Sequence, residues 1–275
     1  MSEHLRGSVA LVTGGGRGLG RGFAQALASA GSAVAVTART ESQVNETVNA
    51  ISDEGGRALG FPVDVTDQAG MKNIINTVES EFGPIDILVN NAGVVTPTGW
   101  DWEIEPDDWW RAMEINLKGP YICTRAILPG MISRRQGRIV NISSGGAYNV
   151  HPYATSYCAA KAALSHFTRC LAPAVQEFGI SVFAYAPGYV RTGITEYLSA
   201  SPDMHEGYTE RFQQRFDEGL DDSMESAVEK LIFLLSGKAD ALTGRHISLG
   251  DSEEELLSGI DTILAEDLYT LGILK

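Results

Sequence analysis

Apolar and polar positions follow two registers along this chain. Short runs of apolar, largely β-branched residues occupy 8–13, 32–38, 57–63, 84–89, 138–143, 179–186 and 242–249. Between most of them lie longer stretches whose apolar positions recur every three or four residues: 21–30, 41–54, Thr66-Asp67 to Phe82, 109–131, 154–178 and 224–235. The first register reads as buried strand and the second as amphipathic helix. Pro173 falls inside the fifth helical stretch and should kink or weaken its turn. Strand and helix alternate with short connections. This order predicts an α/β fold, a doubly wound parallel sheet of about seven strands with helices on both faces and ligands at the carboxyl ends of the strands.

Two stretches break the rhythm. Residues 193–220 have no strong period but hold Tyr197, Met204, His205, Tyr208, Phe212 and Phe216. A cover over an apolar substrate and a plain helical hairpin on the surface both fit. After the last strand, Ser252 precedes three glutamates, and Leu256, Leu257, Ile260, Ile263 and Leu264 recur at helical spacing. We therefore divide the chain into one α/β domain over 1–250 and an extension over 251–275. The extension is expected to form one helix, packed on its own domain or on a neighbouring subunit.

Composition narrows the class. A net charge of −14 argues against nucleic acid as a partner. No apolar run approaches the ~18 residues of a membrane span, and no apolar segment follows Met1, so a cytoplasmic protein is expected. Cys123, Cys158 and Cys170 have no metal-like spacing and read as reduced thiols, with no metal site implied.

The candidate chemistry sits at the strand ends. Gly14-Gly15-Gly16-Arg17-Gly18-Leu19-Gly20 joins the first strand to the first helix. Glycines there let the backbone approach a pyrophosphate, and the helix N-terminus presents free N–H groups to it. The second strand ends in Ala38-Arg39, without the acidic residue that bonds a ribose 2′-OH in many NAD sites. Arg17 and Arg39 together suit a 2′-phosphate, which favours NADP(H) over NAD(H). Asp64-Val65 at the third strand tip suits an adenine edge. Asn91, Ala92 and Gly93 after the fourth strand would let a cofactor lie close. Trp100 and Trp102 then either wall the substrate site or cover the helix that follows, and at least one of Trp109 and Trp110 is expected in the core.

Ser144 closes the fifth strand. Tyr157 and Lys161 are four residues apart in an alanine-rich helical stretch and so share one face. An ammonium some 5–6 Å from a phenol, at an effective dielectric near 20, favours the phenolate by roughly 3 kcal/mol, enough to bring it close to working pH. Ser144 would hold a substrate oxygen. Tyr148, His151 and Tyr153 lie between serine and tyrosine, and one or two of them are expected to touch substrate, with His151 not expected to act as the base.

Taken together, Thr13-Gly14-x3-Gly18-x-Gly20, Asp64-Val65, Asn90-Asn91-Ala92-Gly93, Asn116, Ser144, Tyr157-x3-Lys161 and Pro187-Gly188 resemble the short-chain dehydrogenase/reductase family over about residues 7–250. The resemblance implies a Rossmann-type single domain that moves a hydride between a nicotinamide cofactor and a carbonyl or alcohol carbon. It implies Tyr157 as acid or base and Lys161 beside it, also bonding the nicotinamide ribose. Ser144 would orient the substrate oxygen, and Asn116 would hold a relay water. Pro187, Gly188, Val190 and Thr192 would lie at the nicotinamide, and the assembly would be a homodimer or homotetramer. The partner is then a small carbonyl or alcohol substrate, apolar or aromatic. A non-catalytic NADP-binding or regulatory protein, a 3-oxoacyl-thioester reductase and a serine hydrolase are the alternatives. The last lacks a Gly-x-Ser-x-Gly elbow.

Overall fold

Strands β1 (Val9–Thr13), β2 (Ala33–Ala38), β3 (Arg57–Pro62), β4 (Ile87–Asn90), β5 (Gly137–Ile142), β6 (Ile180–Ala186) and β7 (His246–Ser248) form one sheet in the computed structural model of the chain. The order is β3-β2-β1-β4-β5-β6-β7 and every pairing is parallel. The structure describes residues 5–192, Thr195, Ser199 and 205–272, without the side chains of Tyr208, Arg211 and Phe212. Tyr197 and Met204 of the expected cover therefore lie outside the described residues, as do those two aromatic side chains.

The central strands are continuous apolar runs because both faces of the sheet are covered. Ala10 and Val12 of β1 point into one cluster, with Phe23 and Leu27 of α1 (Gly18–Ser29) and Leu231 and Leu234 of α8 (Met224–Leu235). Val9 and Leu11 point into the other. There they meet Met71, Ile75 and Val78 of α3 (Gln68–Phe82) and Ile122 and Ile127 of α5 (Gly119–Arg134). α2 (Glu41–Asp53) closes the β2–β3 side, and α6 (Thr155–Val175) lies along β6. The strand order reverses between β1 and β4, and their carboxyl ends open a crevice there.

Several boundaries differ from expectation for local reasons. α4 (Pro106–Met113) runs into α5 through a π turn at Glu114–Lys118. Trp110 stays 61% exposed and Trp109 half-buried, so neither belongs to the core. α6 carries Pro173 in its last turn and then tightens into a 3-10 turn at Gln176–Phe178. β7 is only three residues long, because Asp240–Leu242 form a 3-10 turn and Gly244 takes φ +86°. α7 (Glu206–Asp217) lies within the long aperiodic segment.

The extension forms two short helices, α9 (Glu253–Ser258) and α10 (Ile260–Ala265), divided at Gly259. Leu256 and Ile263 are buried in the same cluster as α1 and α8. Asp267 then pairs with Arg169 and Arg245, and the Tyr269 carbonyl accepts a hydrogen bond from His246 N at 2.8 Å. The described tail thus lies on its own chain, beside the edge strand.

Candidate active site

The crevice is built on close backbone approach. Gly14 takes φ +65°, and a Cβ there would stand 2.8 Å from the Ala92 Cα. A Cβ on Gly20 would stand 2.3 Å from the Gly14 carbonyl oxygen and 2.4 Å from Asn91 Nδ2. The Asn91 amide earns that position by donating to the carbonyls of Thr13 at 2.9 Å and Gly14 at 3.1 Å. Thr13 Oγ1 in turn accepts from the Asn91 and Ala92 N–H groups at 3.0 and 3.1 Å. The ends of β1 and β4 are thereby locked together. No side chain caps α1 at Arg17. Its first-turn N–H groups therefore face the crevice without an intrahelical partner. A bare helix N-terminus beside a glycine cradle, opening on a cavity of about 470 Å³, fits the pyrophosphate of a dinucleotide.

Most of the expected cofactor residues line that cavity: Gly14, Arg17, Leu19 and Gly20 from the first loop, Arg39, Asp64 and Val65 from the next two strand tips, then Asn91, Ala92 and Gly93, and finally Pro187, Gly188 and Thr192. Gly18 sits behind, its α-carbon facing Thr192. Val190 is 2% exposed, packs into the core and does not line the cavity, which corrects its expected place at the nicotinamide. Neither Arg17 nor Arg39 has an ion-pair partner among the described residues. Asp64 is already engaged by Thr66 N and Oγ1 and by Arg111, a residue the sequence reading missed. Burial raises its pKa, but the Thr66 bonds and the charges of Arg111 and Arg39 outweigh it and hold the carboxyl below its usual range.

Beyond this cradle, β5 and α6 bring Ser144, Tyr157 and Lys161 to the same cavity. The Lys161 ammonium lies 5.5 Å from the centre of the Tyr157 ring. It is 4% exposed and donates to the Ile142 carbonyl at 2.7 Å. Burial pushes its pKa down to about 8. Burial also pushes the Tyr157 phenol up to about 12, against the hydrogen bond from Ser144 that works the other way. This corrects the expectation of an acidified phenol. The ammonium gives its bond to Ile142 and is itself disfavoured by the same dry surroundings, so desolvation of the phenolate dominates.

Asn116 is fully buried at the π turn and does not line the cavity. Its Nδ2 donates to the carbonyls of Val94 at 2.7 Å and Ala112 at 2.9 Å, and its Oδ1 accepts from Val94 N at 3.2 Å. The side chain is thus a clamp on the irregular segment that follows Gly93. A Cβ on Gly93 would meet Asn116 Oδ1 at 2.8 Å and Lys161 Nζ at 3.4 Å, which places all three side by side.

On the mouth side, Trp100 stacks on Trp102 with ring centres 4.9 Å apart, and Tyr153 stacks on His205 at 3.8 Å. Trp100 meets Tyr153 edge-on at 4.8 Å. This cluster joins the segment after Gly93 to the start of α7 instead of lining the cavity. Asp222 was also missed. Its carboxylate accepts from Tyr189 N at 2.7 Å and fixes the Pro187-Gly188-Tyr189 turn. Nothing in the local sequence marks it, because its partner is 33 residues away.

Residues 8–203 match the family model of the short chain dehydrogenases. The chain belongs to the short-chain dehydrogenase/reductase family. Members of that family are oxidoreductases that bind nicotinamide cofactors. Among relatives of this short-chain dehydrogenase, a short chain dehydrogenase of Pseudocercospora fijiensis is 41% identical over 189 residues, 68% of this chain and 61% of the relative. A 3-oxoacyl-(acyl-carrier-protein) reductase of Haemophilus influenzae is 38% identical over 195 residues, 71% of this chain and 79% of that protein. A variant of actinorhodin polyketide ketoreductase, solved with NADPH, superposes with a TM-score of 0.81 at 31% identity, covering 92% of this chain and all of that one. The sheet with helices on both faces is the fold shared with such neighbours.

Proposed function

We propose that this short-chain dehydrogenase/reductase is an NADP(H)-dependent carbonyl reductase that converts a ketone to a secondary alcohol. The observation that carries the reading is the convergence of Ser144, Tyr157 and Lys161 on the cavity that holds the glycine cradle. When bound, the reduced nicotinamide supplies the hydride. Ser144 holds the carbonyl oxygen, and Tyr157 delivers a proton to it as the carbon is reduced. A phenol whose pKa is pushed up to about 12 keeps its proton at neutral pH, which suits reduction better than oxidation. Lys161, with its pKa near 8, carries the proton that restores the phenol. Asn116 positions Gly93 and Val94 beside them. Arg17 and Arg39 line the cavity and neither makes a contact ion pair among the described residues, although Arg39 is near enough to Asp64 to lower its pKa; both guanidinium groups support a 2′-phosphate and hence NADP(H) over NAD(H).

Tyr157→Phe should leave NADPH binding near wild type and lower turnover by orders of magnitude. Near-normal turnover of a ketone panel by that variant would refute the assignment. A second reading, reduction of a carrier-borne 3-oxoacyl thioester, draws on the Haemophilus relative. The mouth segment opposes it. Asp101, Glu103, Glu105, Asp107 and Asp108 lie there without a lysine or arginine between residues 94 and 110, and a phosphopantetheine arm would bring its phosphate against them. Family membership supports a homodimer or homotetramer in the cytoplasm. No described helix is long and apolar enough to cross a membrane.

A further inference from the structure

Past Ser144 the cavity continues into a corner that the proton and hydride steps leave unused. Gly145, Tyr148, Asn149, Ser248 and Leu249 line it. The chain leaves Ser144 extended, at φ −164° and ψ 158°, and coils at once into the 3-10 turn Gly145–Ala147. The N–H groups of Tyr148 and Asn149 both return to the Gly145 carbonyl, at 3.2 and 2.8 Å. That turn folds both side chains back over Gly145. A Cβ on Gly145 would stand 3.2 Å from Asn149 Nδ2 and 3.7 Å from Tyr148 Oη. Ser248, at the end of β7, places its Oγ 3.4 Å from Tyr148 Oη. The Asn149 amide has no hydrogen-bond partner among the described residues.

The corner is braced from behind. The Tyr148 ring meets His246 edge-on, with centres 5.3 Å apart. His246 is buried, and its Nδ1 lies 3.0 Å from Ser165 Oγ. Ser165 Oγ lies 2.9 Å from the Lys161 carbonyl and 2.8 Å from Ser143 Oγ. The support under Tyr148 is therefore tied to the two segments that carry Ser144 and Lys161. Burial pushes the imidazole down to about 4, so it is neutral at working pH. The charges beside the corner are carboxylates: Asp251 accepts from Ser248 N at 2.6 Å, and Asp222 lines the same cavity next to Leu249, so an anionic ligand group would be repelled there.

A phenol, a carboxamide and a hydroxyl each donate and accept. Three such groups around one space match a ligand group that also does both, and they offer no cation to a carboxylate. We propose that Tyr148, Asn149 and Ser248 form a hydroxyl-recognition subsite, and that the substrate is an uncharged hydroxy ketone whose hydroxyl lies close to the carbon being reduced. The proposal rests on the carbonyl-reductase reading for the reacting carbon, and on the corner alone for the hydroxyl.

Three ketones that differ at one position test it: acetophenone, 2-methoxyacetophenone and 2-hydroxyacetophenone. Binding is measured in Tyr157→Phe protein saturated with NADPH, by quenching of the nicotinamide fluorescence, so that no turnover intervenes. The hydroxy ketone should bind about 10-fold tighter than acetophenone, as expected for one or two hydrogen bonds, and tighter than the methoxy ketone, which only accepts. Adding Tyr148→Phe or Asn149→Ala should bring the hydroxy and parent ketones to within about twofold of each other, with NADPH affinity unchanged. Equal affinities in the first protein, a preference that survives both replacements, an equal affinity for the methoxy ketone, or no measurable binding of the hydroxy ketone would each overturn the subsite. Turnover of the three ketones by the unaltered enzyme is the separate arm. Binding preference without NADPH oxidation by the unaltered enzyme would sink the reductase reading and leave the subsite standing.

Discussion

Lys161→Met should make the cofactor-free protein more stable while removing its activity. Lys161 is 4% exposed, has the Ile142 carbonyl as acceptor, and has no carboxylate within ion-pair distance among the described residues. Burial takes its pKa from 10.5 to about 8. At about 1.4 kcal/mol per pKa unit, keeping that lysine protonated in the folded state costs roughly 3 kcal/mol near pH 7. Methionine has a similar reach and no charge. It leaves the Ile142 carbonyl without its donor, a loss of about 1 kcal/mol. The net gain is about 2 kcal/mol, or roughly 5 °C in Tm for a chain of this size. The pH dependence has a fixed sign. The folded-state pKa is depressed, so this group's contribution to stability is greatest above 10.5 and falls away as pH drops towards 8. The variant's advantage is therefore largest below pH 8 and should shrink to under half near pH 9.5. Thermal melts of both proteins without cofactor, near pH 7 and near pH 9.5, read it directly. A variant no more stable than the parent near pH 7, or a gap that does not narrow at the higher pH, would show that the ammonium is not held at a cost.

Other consequences are as direct. Arg39→Ala should raise the KM for NADPH by about 10- to 100-fold and leave that for NADH nearly unchanged; an unaltered NADPH/NADH ratio in steady-state kinetics would remove Arg39 from the 2′-phosphate. Gly20→Ala puts a methyl 2.3 Å from the Gly14 carbonyl oxygen. It should abolish NADPH binding in a fluorescence titration, and wild-type affinity would contradict the cradle. Truncation after Asp251 exposes the surfaces that cover Leu256 and Ile263 and deletes the Asp267 ion pairs. Two buried aliphatic side chains are worth about 3–6 kcal/mol, so melting should drop by roughly 10 °C; an unchanged melt would make the tail an appendage.

Much of this protein was legible in the order of its residues. The strands β1 and β2 and the helix α8 appear where the apolar period places them, because burial of a local face is written in local spacing. The glycine loop and the Tyr157–Lys161 pair were legible for the same reason, since a turn and one helical step are short-range geometry. Other features depended on residues far apart in the chain. Asp222 finds Tyr189, Arg111 finds Asp64, and His246 backs Tyr148 only after the sheet has formed. The tail divides at Gly259, and Trp110 stays in solvent, because what each helix packs against is decided by the whole fold. The sign of the tyrosine shift was misjudged on the same ground. Spacing along a helix states how near a lysine is, but the depth at which both groups lie, and so the energy of charging either one, is set by everything packed around them.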